Sequence, residues 1–328
     1  MNLHRVELHT HLEGSVTPGR LILLAEKYGQ PSLPASCLNE AGTRFEFSGF
    51  SGFLQLYKFA TSVMRSPSDF HNLAMDLGDQ LVADGVKYAE ISVSYGVLLW
   101  RDMDPLPIQI ALHEAATEVY EEHGVRMCWI PDGVRHWEVK NAWLAWEKAA
   151  LAGRDLGVVG FGLGGDEAKG PASKFAKLFA EVKAEGLGVS IHAGEVLSMG
   201  AGAQDSIRQA IEECGADRIG HGLAAATDPL LLATLVARDI FVELCPSSNV
   251  LTGGITSFAD FPIGAFLEAG IPCGLNTDDR TMFETTLASE EEKAAEEWSF
   301  SATDMATMQR SAAEHAFTDL EERENDAT

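Results

Sequence analysis

Positive charge is what this sequence has least of. Its 24 lysines and arginines stand against 49 aspartates and glutamates, leaving a net charge of −25 over 328 residues. So acidic a chain repels the phosphate backbone, which argues against nucleic acid as a partner and favours a neutral or cationic small substrate. Much of the acid falls in Glu290-Glu291-Glu292, Glu296-Glu297 and the run from Glu321-Glu322 to Asp326, where a solvated face is expected. Cysteine is sparse as well. Cys37, Cys128, Cys214, Cys245 and Cys273 make an odd number, with no C-x-x-C. Cys128, Cys245 and Cys273 fall in apolar runs that read as strands, as buried free thiols of a reducing compartment do. No basic segment followed by an apolar stretch opens the chain, and no uninterrupted apolar run reaches membrane-spanning length. The expectation is a soluble cytoplasmic protein with no membrane partner.

What is present is a hydrophobic fraction of 46% and no break in composition across residues 1–328. That suits one large domain. Alternation within Val6-Glu7-Leu8 predicts a first strand. Further strands are expected at 87–93, 125–130, 158–161, 188–191, 218–219, 240–244 and 271–275, with helices between them and two or more from about 284 to 317. Eight strand–helix alternations read as an α/β fold, a (β/α)8 TIM barrel with extra helices after strand one and at the C-terminus. An open doubly wound sheet would need fewer strands and a nucleotide-binding turn after the first, which is absent. Residues 14–86 are too long for one crossover and are expected to form a helical lid or substrate region. Thr17-Pro18 and Ser66-Pro67-Ser68-Asp69 each look like a helix start. Between them Phe45, Phe47, Phe50, Phe53 and Tyr57 either line a pocket or belong to ordinary core.

In such a barrel, chemistry collects at the C-terminal ends of the strands. Strand one ends His9-Thr10-His11, strand five Ile191-His192-Ala193-Gly194-Glu195, strand six Gly220-His221-Gly222 and strand eight Asn276-Thr277-Asp278-Asp279. An isolated H-x-H fits two surface histidines equally well. Four of ten histidines on one rim, with three carboxylates, do not. His9, His11, His192 and Asp278 are the natural ligands of a divalent transition metal, zinc first and one per chain, with one position left for water. Asp278 counts with Glu195 and His221 among the catalytic residues. His221 is free to orient or deprotonate the water, Glu195 to deliver a proton to the substrate, and Asp279 to hydrogen-bond a heterocycle nitrogen.

These residues together resemble the adenosine deaminase family of the amidohydrolase superfamily. The matching segments are VELHTHLEGS, GGDE, IHAGE, RIGHG, LCPSSN and LNTDD, in family order over most of the chain. The resemblance implies zinc on His9, His11, His192 and Asp278, with a small purine nucleoside as substrate. It also implies Glu195 protonating ring N1, His221 on the water, Asp279 at N7 and the backbone of Gly165 at N3. A two-metal amidohydrolase, which usually needs a lysine at the end of strand four, is disfavoured, since Gly162-Leu163-Gly164 stands there. Three departures bear on the substrate. Glu13 replaces the usual aspartate near the ribose and is longer by about one C–C bond. Gly162 replaces the first aspartate of the usual D-L-A-G-D-E. Arg280 replaces the proline after the paired aspartates. Relatives with glutamate and glycine at the first two places include adenine deaminases and 6-aminodeoxyfutalosine deaminases, and Gly96-Val97-Leu98-Leu99-Trp100 also looks more like the latter. Arg135-His136 is read as surface, or else as a contact to the substrate's far end.

Overall fold

A computed structural model describes residues 5–31, 33 and 37–320, the side chain of Phe50 excepted. The acidic run beyond residue 320 lies outside that set. Eight parallel strands pair in chain order: β1 (Arg5–His11), β2 (Val86–Val93), β3 (Arg126–Val134), β4 (Gly160–Gly164), β5 (Gly188–Ala193), β6 (Arg218–His221), β7 (Phe241–Leu244) and β8 (Cys273–Leu275). The ring closes between its last and first members. Asn276 Oδ1 accepts from the amides of Leu8 and His9 at 2.8 and 3.0 Å. Just beyond, His11 N donates to Asp278 O and Asp278 N to His9 O, each at 3.0 Å. Together with the helices between the strands this makes a (β/α)8 barrel. Among the described residues no helix is long and apolar enough to cross a membrane.

Strand alternation sorts the interior. On β3, Cys128 and Ile130 face inward with Val6, Leu8, Tyr88, Val159 and Phe241, and Phe317 packs beneath them. Two residues further along the same face, Asp132 reaches the barrel mouth. Strict alternation would put His9 and Leu8 on opposite sides. The pairing of β1 with β2 shifts register between Glu7 and Thr10. Such an irregularity re-aims side chains, so Leu8 fills the lower interior while His9 still faces the mouth.

Between these layers lies a buried ionic trio. Arg218 bonds Glu90 and Glu243 at 2.6 Å each, and all three are essentially inaccessible. Removing one partner of such a set leaves an uncompensated buried charge. Its position under the mouth makes it a rigid floor for the residues above.

The segment after β1 contains the expected helices Pro18–Lys27 and Pro67–Ala83, the second with a full capping box from Ser66 and Asp69. The aromatic cluster between them forms a further helix, Gly49–Val63, which was not foreseen. Both readings of those aromatics hold in part. Phe53 and Tyr57 line the cavity described below, and Phe45 is core.

Two expectations are corrected. Glu290 is fully buried rather than solvated, accepting from Ser247 N and Thr285 Oγ1. Arg280 turns away from the barrel mouth. It is 1% exposed and pairs with Asp84 at 2.6 Å and more distantly with Glu7 at 3.9 Å, and Asp84 also accepts the amides of Leu287 and Ala288. The residue after the paired aspartates is therefore an anchor. Arg280→Ala should destabilise the fold by about 3–5 kcal/mol, because it strands two buried carboxyls. Urea denaturation would show this, and a loss below about 1 kcal/mol would remove Arg280 from that role.

Candidate active site

His9 is oriented from below. Its Nδ1 lies 2.6 Å from Glu243 Oε2, so Nε2 faces the mouth, where it has no hydrogen-bond partner and lies 3.5 Å from Asp278 Oδ1. His11 Nε2 lies 3.2 Å from Asp278 Oδ1 and 3.2 Å from His192 Nε2. Donors bound at about 2.0–2.1 Å around one ion lie roughly 3.3 Å apart at tetrahedral angles, and the observed spacings match. Donor atoms of His9, His192, His221 and Asp278 also fall within 4.8 Å of one another. Ser248 Oγ donates to Asp278 Oδ2 at 2.6 Å, leaving Oδ1 toward the imidazoles.

The electrostatics fit a cation. Burial opposes charge on His9, yet the neighbouring Asp278 and Glu243 carboxylates hold its pKa up to about 10. Burial and the neighbouring His9 and His11 push His192 well below the ordinary range. Burial would raise Asp278, but His11 and His9 hold it well below the usual carboxylate range. The proton that Asp278 and Glu243 favour on His9 stands where a divalent ion would supply the positive charge. The residues gathered here, His9, His11, His192, His221 and Asp278, therefore fit a metal.

Beside this cluster stand the proton-transfer candidates. His221 ends β6 with φ 65° and Asp278 has φ 61°, a left-handed backbone that non-glycine residues adopt only under constraint. Nε2 of His221 lies 3.8 Å from Glu195 Oε2, and the Asn249 side-chain amide lies 3.2 Å from Nδ1. Burial lowers the His221 pKa to about 4, so the ring is neutral near pH 7 and able to accept a proton. Glu195 follows the turn at Gly194, φ 74°. That turn is pinned by Glu167, whose carboxylate accepts the amides of Gly194, Glu195 and Val196 at 2.5, 3.2 and 3.1 Å. Burial, with Asp278 and Glu167 nearby, raises the Glu195 pKa to about 8. Asp279 is buried with Oδ1 unpartnered, and burial, Asp278 and Glu13 push its pKa well up. A side chain on Gly14 would put its Cβ 1.9 Å from that oxygen, so the glycine of His11-Leu12-Glu13-Gly14 makes room for Asp279.

His11, His192, Glu195, His221, Asp278, Asp279 and Gly165 line one cavity of about 350 Å³, with Tyr57, Ser94 and Asp132 among the rest of its wall. Glu13 sits one layer back, its Oε1 accepting Ser94 N at 3.0 Å. Arg135 is neither surface nor cavity wall. It is 1% exposed and donates to the carbonyls of Gly170 and His192 and to Ser206 Oγ. His136 does line the cavity. Sequence reasoning missed Glu243, Glu167, Ser248, Asn249 and Asp132. The segments GGDE and LCPSSN held a signal for three of them, but no role. Glu243 and Asp132 lie on strands whose inward register only the fold reveals.

A family model described as adenosine deaminase matches residues 4–326. The chain is 37% identical over 290 residues to an aminodeoxyfutalosine deaminase of Acidothermus cellulolyticus, spanning 87% of this chain and 80% of that one. It is 33% identical over 315 residues to an adenine deaminase of Mesorhizobium japonicum, spanning 96% and 94%. Among solved structures, the adenine deaminase of Arthrobacter aurescens superposes with a TM-score of 0.88 at 26% identity, over 98% of this chain and 96% of that one.

Proposed function

The chain belongs to the adenosine deaminase family, and from that premise we propose that it is a zinc-dependent aminohydrolase acting on the adenine ring of adenosine or an adenosine derivative, releasing ammonia and the inosine-type product. The observation that carries this reading is the convergence of His9, His11 and His192 on Asp278, beside a cavity that Glu195 and His221 also line. Zinc is preferred for three imidazoles and one carboxylate, one ion per chain. Bound there, it would supply a water acidified toward hydroxide as the nucleophile. Glu195 gives its proton to ring N1, which draws electrons from C6. His221 orients the attacking water and takes its proton. Oxygen bonds to C6, His221 passes its proton to the exocyclic nitrogen, the C6–N bond breaks as ammonia leaves, and the remaining hydroxyl proton returns to Glu195 as the C6 carbonyl forms. Asp279, whose carboxyl pKa is pushed up by burial, Asp278 and Glu13, is the partner of N7. The Gly165 amide faces N3, and Glu13 serves the sugar side. Within a single domain, residues 14–86 act as the substrate lid, with Phe53, Leu54 and Tyr57 over the cavity.

The names of the relatives, aminodeoxyfutalosine deaminase and adenine deaminase, favour a second reading in which one of those compounds is the preferred substrate. The experiment for both readings is an ultraviolet assay of the zinc-loaded protein. The panel is adenosine, 2′-deoxyadenosine, adenine, 5′-methylthioadenosine, S-adenosylhomocysteine and 6-aminodeoxyfutalosine. Deamination shifts the absorbance of the adenine ring in every case. We expect one compound to be turned over far faster than the rest. A panel in which none reacts, with zinc at one per chain, overturns the purine assignment.

A further inference from the structure

One carboxyl group of the site, Asp132, has no task in the chemistry above, and a second, Glu13, serves only the sugar side. Asp132, on the inward face of β3, is 5% exposed and lines the cavity, yet its Oδ1 has no hydrogen-bond partner. Glu13 is 2% exposed, and its Oε2 is likewise unpartnered. Ser94 stands with both. Its amide donates to Glu13, and its hydroxyl lies 3.0 Å from Tyr57 Oη. Opposite, β4 presents glycine. A Cβ on Gly162 would lie 3.4 Å from Asp132 Cβ, and one on Gly164 would lie 3.6 Å from Asp132 Oδ2. The wall is bare where Asp132 looks across it. Buried acceptor oxygens without donors are costly, and a cavity that keeps them asks its ligand for donors.

The surrounding charge says which donors. Among the described residues, Lys169 is the one lysine or arginine on the cavity wall. It is largely exposed and held by Asp166 at 2.6 Å. The Arg135 guanidinium is spent on Gly170, His192 and Ser206. A phosphate near Asp132 and Glu13 would meet two acidic groups and no counter-ion.

Resting on the deaminase reading, we propose that Asp132, with Glu13, is the specificity-determining acceptor of this site. It takes uncharged hydrogen-bond donors on the part of the substrate that Glu195 does not hold, and it rejects adenine compounds with a phosphate on the sugar. The donors are either the N9–H of a free base or the hydroxyls of a sugar.

The test compares wild type, Asp132→Ala and Asp132→Asn, all zinc-loaded. The compounds are adenine, 9-methyladenine, adenosine, its 2′-, 3′- and 5′-deoxy analogues, and AMP. Wild type should prefer an uncharged compound to AMP by at least about 100-fold in kcat/KM. Asp132→Ala should lower kcat/KM for the preferred compound by about 10- to 100-fold, chiefly through KM, as loss of a buried hydrogen-bond partner does. Asp132→Asn, which keeps one acceptor oxygen, should recover part of this. The loss should shrink for one analogue alone, 9-methyladenine if N9–H is the donor or one deoxyadenosine if a hydroxyl is. An equal loss on every analogue, or wild-type turnover of AMP matching adenosine, overturns the proposal. Calorimetric binding of the same compounds separates the two readings. Selective binding loss in Asp132→Ala without turnover by wild type would sink the deaminase assignment and leave the acceptor role standing. Binding of none of them would sink both.

Discussion

Glu195→Gln is expected to lower kcat by roughly 10²- to 10⁴-fold, the range that positioned acid–base catalysis contributes, while zinc content stays unchanged. The substitution keeps the shape of the side chain and the Glu167 bonds that hold its backbone. It removes only the transferable proton. Because Glu195 donates that proton, it works in its protonated form. With the pKa raised to about 8 by burial and by Asp278 and Glu167, that form prevails at neutral pH. Rising pH through the pKa empties it, so the wild-type rate should fall on the alkaline side. An unperturbed glutamate, with a pKa near 4.3, would already be spent at neutrality. Near-normal turnover by Glu195→Gln would remove Glu195 from the mechanism. Loss of zinc in that variant would show that the carboxylate serves the metal.

How much of this was legible beforehand differs by layer. The barrel could be read because each strand is a short apolar run followed by an amphipathic helix. The rim could be read because histidine and carboxylate recur just where those runs end. Strand ends were harder. β3 runs on to Val134 rather than stopping near residue 130, because Pro131-Asp132-Gly133 interrupts the apolar pattern that marks a strand. Asp132 was therefore never considered as an inward-facing residue. Glu290 shows the same limit in reverse. Three consecutive glutamates look like a solvated face, but on the helix Leu287–Trp298 the first of them turns into the fold and finds Ser247 N and Thr285. Arg135 was read as surface because arginine usually is. Its guanidinium meets the carbonyls of Gly170 and His192 and the Ser206 hydroxyl, which lie far from it in sequence. In each case the deciding partner is remote along the chain, and no local pattern carries it.

The roles of the histidines can be separated by metal content. Asp278→Ala should lower zinc affinity by more than about 100-fold, beyond what loss of an outer hydrogen-bond partner does, and abolish turnover. Asp278 Oδ1 is the atom against which His9 and His11 both converge, at 3.5 and 3.2 Å. Without it three imidazoles crowd together with no carboxylate to balance a divalent charge. His221 lies within the same 4.8 Å group, so proximity alone would admit it as a ligand in place of His11. Geometry divides them. His11 Nε2 faces Oδ1 and His192 Nε2, whereas His221 Nε2 is 4.0 Å from Oδ2, an oxygen already bonded to Ser248, and 3.8 Å from Glu195. His11→Ala should therefore lose zinc with Asp278→Ala, while His221→Ala should keep zinc and lose rate. Elemental analysis after dialysis against a weak chelator reads all three variants. Stoichiometric zinc in Asp278→Ala would mean that the ligand set is wrong. Zinc lost from His221→Ala but kept by His11→Ala would exchange the two histidines, moving the proton-accepting role from β6 to β1.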